Sequence, residues 1–137
     1  MKRLYLILYV TSLITLGSCE LSDDGENFHY EPLQITSVEL PESFDLHDVY
    51  DIKVTLLRPN DCTIIDGFSV KKPALTTRNI AAIGIILERD DCKTINKEVE
   101  DSFRFEVIYD EPYLFRFYTG DDENGEAQYL EVEVPVN

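Results

Sequence analysis

Basic residues are scarce in this chain: 12 lysines and arginines stand against 27 aspartates and glutamates, a formal net charge of −15. Such a balance repels phosphate backbones and anionic headgroups, which argues against nucleic-acid binding. Helical patterning is also missing. No 3.6-residue apolar stripe occurs after Cys19, so neither a helical bundle nor an alternating α/β fold is expected. Long apolar runs are missing too. The run from Leu4 to Leu16 falls short of the roughly 20 residues needed to cross a bilayer, and Glu20, Asp23 and Asp24 follow closely. Histidines number two, His29 and His47. No nucleotide-binding glycine loop, serine elbow or His-Glu-x-x-His stretch occurs. His29 precedes the first patterned segment, so a histidine-assisted nucleophile would rest on His47, which stands in a polar loop suited to a solvated side chain. Carboxylates are abundant, yet their spacing singles out no glycosidase pair. The chain reads as a non-enzyme without cofactor or metal.

What is present begins with a signal. Lys2-Arg3, the apolar run and small residues before Cys19 form the three regions of a secretory signal peptide. Its last four residues, Leu16-Gly17-Ser18-Cys19, resemble the lipobox of bacterial lipoproteins. That resemblance implies removal of residues 1–18, a lipid on Cys19 and acylation of the new amino terminus. The membrane would then be a partner through Cys19, each buried methylene contributing about 0.8 kcal/mol. A plain signal peptide, cut without lipidation, is the alternative. Residues 19–31 are acidic and aperiodic, a flexible tether. Their Ser22-Asp23-Asp24 resembles the acidic export signal of surface lipoproteins of the Bacteroidota, which implies an outer-membrane anchor and a surface-exposed domain. Read as an ordinary acidic linker, it leaves the domain facing the periplasm. The mature chain keeps 10 basic and 27 acidic residues, a balance of −17.

Residues 32–137 suffice for one domain. They alternate in short runs: Leu33–Leu40, Val49–Leu57, Cys62–Val70, Asn79–Leu87, Ser102–Tyr109, Tyr113–Thr119 and Gln128–Val136. In Val49–Leu57 the apolar face is Tyr50, Ile52, Val54 and Leu56, the pattern of a half-buried strand. Asp66-Gly67 suggests a bulge. Asn79–Leu87 is almost continuously apolar, which with Gly84 suggests a central strand covered on both faces. Arg58–Asp61 reads as a turn and Lys93–Asp101 as a polar connection. About seven strands at these intervals predict an all-β fold, an antiparallel β-sandwich. Asp110–Phe115 resembles the approach to strand F of an immunoglobulin-like domain. The resemblance implies a tyrosine corner at Tyr113, whose hydroxyl would return to the chain just upstream; an ordinary core aromatic is the other reading. The chain has no tryptophan, and Cys62 and Cys92 do not match the antibody disulfide. The likeness therefore concerns fold class.

Three cysteines become an even pair once Cys19 carries lipid. Cys62 and Cys92, in an exported and oxidising setting, are expected to form one disulfide. Two free thiols, or a metal site with His29 and His47, are the alternatives, though no Cys-x-x-Cys or His-x-x-x-His spacing is present. If Cys62–Val70 and Asn79–Leu87 pair about the Lys71–Thr77 loop, the cysteines meet at the open end of a hairpin. Gly120–Gly125 is a hairpin loop in which Asn124-Gly125 supplies positive φ angles. The acids from Asp121 to Glu126 suit either a calcium ion or a solvated tip, but lack the Asp-x-Asp-x-Asp-Gly order of a calcium loop. The resulting expectation is a lipid-anchored envelope lipoprotein whose sandwich is a binding or structural module for a protein or glycan partner. The alternative is a small carbohydrate-active or other hydrolase with a hidden carboxylate pair.

Overall fold

Alternation decides where the second half of the core comes from. Ile52, Val54 and Leu56 of the strand starting at Val49 are buried, while Asp51 and Lys53 between them are exposed. The computed structural model describes residues 25–137. The expected signal peptide, the lipobox-like Leu16–Cys19 and Ser22-Asp23-Asp24 lie outside the described residues. The described chain is all-β: β1 (Phe28–Leu33), β2 (Ile35–Glu39), β3 (Val49–Asn60), β4 (Thr63–Lys71), β5 (Thr77–Leu87), β6 (Thr94–Glu106), β7 (Tyr113–Asp121) and β8 (Ala127–Val134). These make two sheets. In one, β5 is flanked by β4 and, on its other edge, by β1 and β7, with β8 beyond β7; the other runs β2-β3-β6.

The sandwich core lies between the sheets. Its centre is aromatic: Phe44, Phe105, Tyr113, Phe115 and Phe117, all buried. Phe44 sits 4.8 Å from Tyr50 and 5.5 Å from Phe105, ring centre to ring centre. Periodicity could not reveal Phe44, because it stands alone in the Pro41–Asp48 loop. Backbone bonds seat it there: its N–H donates to the Pro135 carbonyl, and its own carbonyl accepts from Asn137.

Several expectations are corrected. The first expected strand is two strands, which change sheets at Gln34: β1 pairs with β5 and β2 with β3. The tether, expected to run to Glu31, gives way to β1 at Phe28. Phe28 to Glu31 are exposed and held by their ladder to Gly84–Leu87, so no apolar alternation marked them. Pro32 is tolerated because β1 is an edge strand. Within the expected Lys93–Asp101 connection, Thr94–Asp101 is strand for the same reason: most of its residues are exposed, yet they pair with β3. Likewise Arg58–Asn60 continue β3, with the ladder interrupted around Pro59. One pairing, β5 with β7, is parallel. The chain crosses to the other sheet as β6 and returns, reversing twice, so β5 and β7 run the same way.

β5 lies centrally in its sheet, but its burial alternates. Arg78, Ile80 and Ala82 face the core, whereas Asn79, Ala81 and Ile83 are half-covered on the outer face. Gly84 lets Leu33 pack closely over it, since a Cβ there would lie 3.0 Å from the leucine side chain and push it aside. The bulge at Asp66 is present between Ile65 and Gly67.

Candidate functional site

Tyr113 opens β7 and is fully buried. Its hydroxyl accepts the backbone N–H groups of Ile108 and Tyr109, each at 3.1 Å. That is the geometry of a tyrosine corner. Above its ring lies Arg78, with the guanidinium carbon 5.2 Å from the centroid. Sequence reading missed Arg78, because a long cation beside a loop reads as solvated. Its exposure is 2%.

The cysteines meet as expected. β4 and β5 form a hairpin in which Thr63 faces Ile86, and Cys62 and Cys92 are bonded with Cα atoms 5.6 Å apart. Neighbouring polar groups fasten the same end. Asp61 donates its N–H to the Lys93 carbonyl, and its carboxylate accepts the Lys93 N–H at 2.7 Å. Asp61 stands close enough to both sulfurs to suggest a metal centre, but oxidation leaves neither sulfur a thiolate to offer one. His29 is on β1, its Nδ1 3.3 Å from Glu88. His47 is an exposed turn residue at φ 71°, its N–H bonded to the Val107 carbonyl. The histidines therefore do not join the cysteines.

In the Gly120–Gly125 loop the two end glycines take positive φ, 116° and 79°; Asn124 does not. The Asp122 side chain shapes the turn instead. Oδ1 accepts the N–H groups of Asn124 and Glu126 at 2.8 and 3.0 Å, and Oδ2 meets the Gln128 amide at 3.3 Å. Both carboxylate oxygens are thus already occupied by donors from the loop.

A groove of about 460 Å³ opens on the outer face of the larger sheet. Its origin is the fork in the pairing of β5, whose first half follows β7 and whose second half follows β1. Ala81 and Ile83 help line it, with Ser69, Lys71 and Asn79 on one side and Tyr118, Asp121 and Tyr129 on the other. The rings of Tyr118 and Tyr129 lie at 70° with centroids 6.3 Å apart. The Arg116 guanidinium covers the Tyr129 ring at 4.5 Å while its Nε bonds Glu131 at 2.7 Å, which braces that wall. Tyr118 donates its hydroxyl to Asp121 at 3.0 Å. Burial, then that hydrogen bond and the charges of Asp121 and Glu31, push its phenol up to about 12. The Asn79 Oδ1 is buried and has no hydrogen-bond donor among the described residues.

The arrangement offers flat aromatic surface, an asparagine, a lysine and a single lining carboxylate. Sequence reading placed Asn79 and Tyr118 in strands but gave neither a role, because binding residues on a sheet face follow the same alternation as solvent-facing ones. Comparison of the chain with protein-family models, curated proteins and solved structures gives no match.

Proposed function

We propose that this chain is a lipid-anchored lipoprotein of the cell envelope, tethered at Cys19 to the outer membrane and exposed at the surface. Its β-sandwich serves as a binding module for a protein or glycan partner. The lipobox-like Leu16–Cys19 supports the anchor. The groove supports the binding role, and of the two partner classes it favours a glycan. Sugar rings present C–H faces that pack on aromatic rings and hydroxyls that both donate and accept. The observation that carries this reading is the groove wall formed by Tyr118 and Tyr129, rings 6.3 Å apart and braced by Arg116, facing the polar side chains of Ser69, Lys71 and Asn79. A lone lining carboxylate, Asp121, also fits binding better than hydrolysis by a carboxylate pair.

The test is binding of purified envelope polysaccharides to the full chain in detergent micelles, compared with its Tyr118→Ala and Asn79→Ala variants. Retention of a glycan by the wild type, weakened roughly tenfold or more in either variant, supports the groove. No retained glycan, or equal retention by both variants, contradicts it.

A further inference from the structure

In a domain so acidic, an arginine sealed in the interior would be expected to find a carboxylate. Arg78 does not. Among the described residues its side-chain hydrogen bonds all leave from Nη1, to the carbonyls of Leu75 and Thr77 at 3.0 and 2.9 Å and, more weakly, of Ala74 at 3.5 Å. Nε and Nη2 meet no acceptor among the described residues, and the whole side chain is 2% exposed. The guanidinium lies over the rings of Tyr113 and Phe105, at 5.2 and 6.0 Å. It is thereby fixed in place with donors to spare.

The space beside it is a pocket of about 250 Å³, lying between β4 and β6. These strands are the edges of their respective sheets. Two further cations, Lys72 and Arg104, line the same pocket, and Glu106 is its one acid. Asp51 stands opposite Arg104 in the ladder. Even so, no carboxylate of the described residues forms an ion pair with Lys72, Arg78 or Arg104, as none does with Arg58, Lys71, Lys93 or Lys97. The remaining walls are apolar: Val70, Phe103, Phe105 and Ile108. Val70 and Ile108 stay 40% and 43% exposed, so part of that apolar surface is uncovered.

We propose that this pocket is a binding site for a small monoanionic acid, a carboxylate carried on an aromatic or short aliphatic body. A planar carboxylate suits the exposed Arg104 guanidinium fork with the Lys72 ammonium beside it, while buried Arg78 adds positive charge behind them. The apolar walls match the ligand's body and disfavour a bare inorganic ion. Glu106 and the charge of the whole domain work against di- and trianions. This site is separate from the outer-face groove, so either reading can fail without the other.

The experiment is isothermal titration of phenylacetate into the full chain in detergent micelles, with empty micelles as blank. Neutral phenylacetamide and inorganic phosphate are the comparison probes. Arg78 supports the Tyr113 corner, so replacing it threatens the fold. Lys72→Gln and Arg104→Gln, outside the core, carry the test. Phenylacetate should bind at millimolar concentration or below and phenylacetamide at least tenfold more weakly. Each variant should weaken phenylacetate by about three- to tenfold, with the melting temperature little changed. No phenylacetate binding, equal binding of the amide, tighter binding of phosphate, or undiminished binding by both variants would each overturn the proposal.

Discussion

Replacing Tyr113 by phenylalanine removes one oxygen and leaves the packing of the ring in place. That oxygen accepts two backbone N–H groups, from Ile108 and Tyr109, at 3.1 Å each. Each such bond is worth about 0.5–1.5 kcal/mol net, so Tyr113→Phe should cost roughly 1–3 kcal/mol. The lower end applies if water reaches the freed groups, and the exposed Ile108 side chain suggests that access is open on that side. Tyr113→Ala removes the ring as well. It would open a cavity between Phe44, Phe105 and Phe115 and strip Arg78 of the nearer of its two aromatic supports. A buried aromatic cut back to alanine costs about 3–5 kcal/mol. Urea unfolding followed by circular dichroism reads both, with the m-value confirming that the same surface is exposed. The expected order is wild type, Tyr113→Phe, then Tyr113→Ala, with clear gaps. Midpoints for both variants within a few tenths of a kcal/mol of wild type would refute the corner and its place in the core.

Two other predictions follow from the same geometry. The Cys62–Cys92 bond spans 30 positions, and closing such a loop stabilises by about 3–4 kcal/mol, chiefly by restricting the unfolded chain. Reduction should therefore lower the melting temperature by roughly 10 °C or more, and peptide mapping that recovers both thiols free from oxidising conditions would reject the bond. The Tyr118 phenol, raised to about 12 by burial first and by Asp121 next, holds its proton more tightly folded than unfolded. Its contribution to stability is fully present below pH 10 and is lost as pH rises through about 12. In an ultraviolet titration of the folded protein, the signal missing from Tyr118→Phe should belong to the high end of that window; a missing signal near pH 10 contradicts the assignment.

Strict alternation made much of the fold readable. Val49–Leu57, Phe103–Tyr109 and Tyr113–Thr119 each announced a buried face, and the resemblance of Asp110–Phe115 to the approach to an immunoglobulin-like strand F pointed to the corner. What stayed hidden was held by other forces. Phe28–Glu31 and Thr94–Asp101 are strands through backbone pairing to β5 and β3, which no side-chain period records. Phe44 is buried by the path of a loop and by bonds to the C-terminal segment. Arg78 could not be placed inside, since its cost of burial is met by carbonyls of the loop just before it, from Leu75 and Thr77, together with the rings of Phe105 and Tyr113 from distant parts of the chain. The groove depends on the fork of β1 and β7 along β5, a property of topology, so Asn79 and Tyr118 carried no local mark of their use.

The central claim is a folded β-sandwich held at a membrane by lipid on Cys19. Growth of the producing cells with radiolabelled fatty acid, followed by recovery of the wild-type chain and of Cys19→Ala, tests it most directly. The account predicts label on the wild type, none on the variant, and release or mislocalisation of a variant domain that still folds. A Cys19→Ala chain that takes up the label, or a wild type that takes up none, would contradict it.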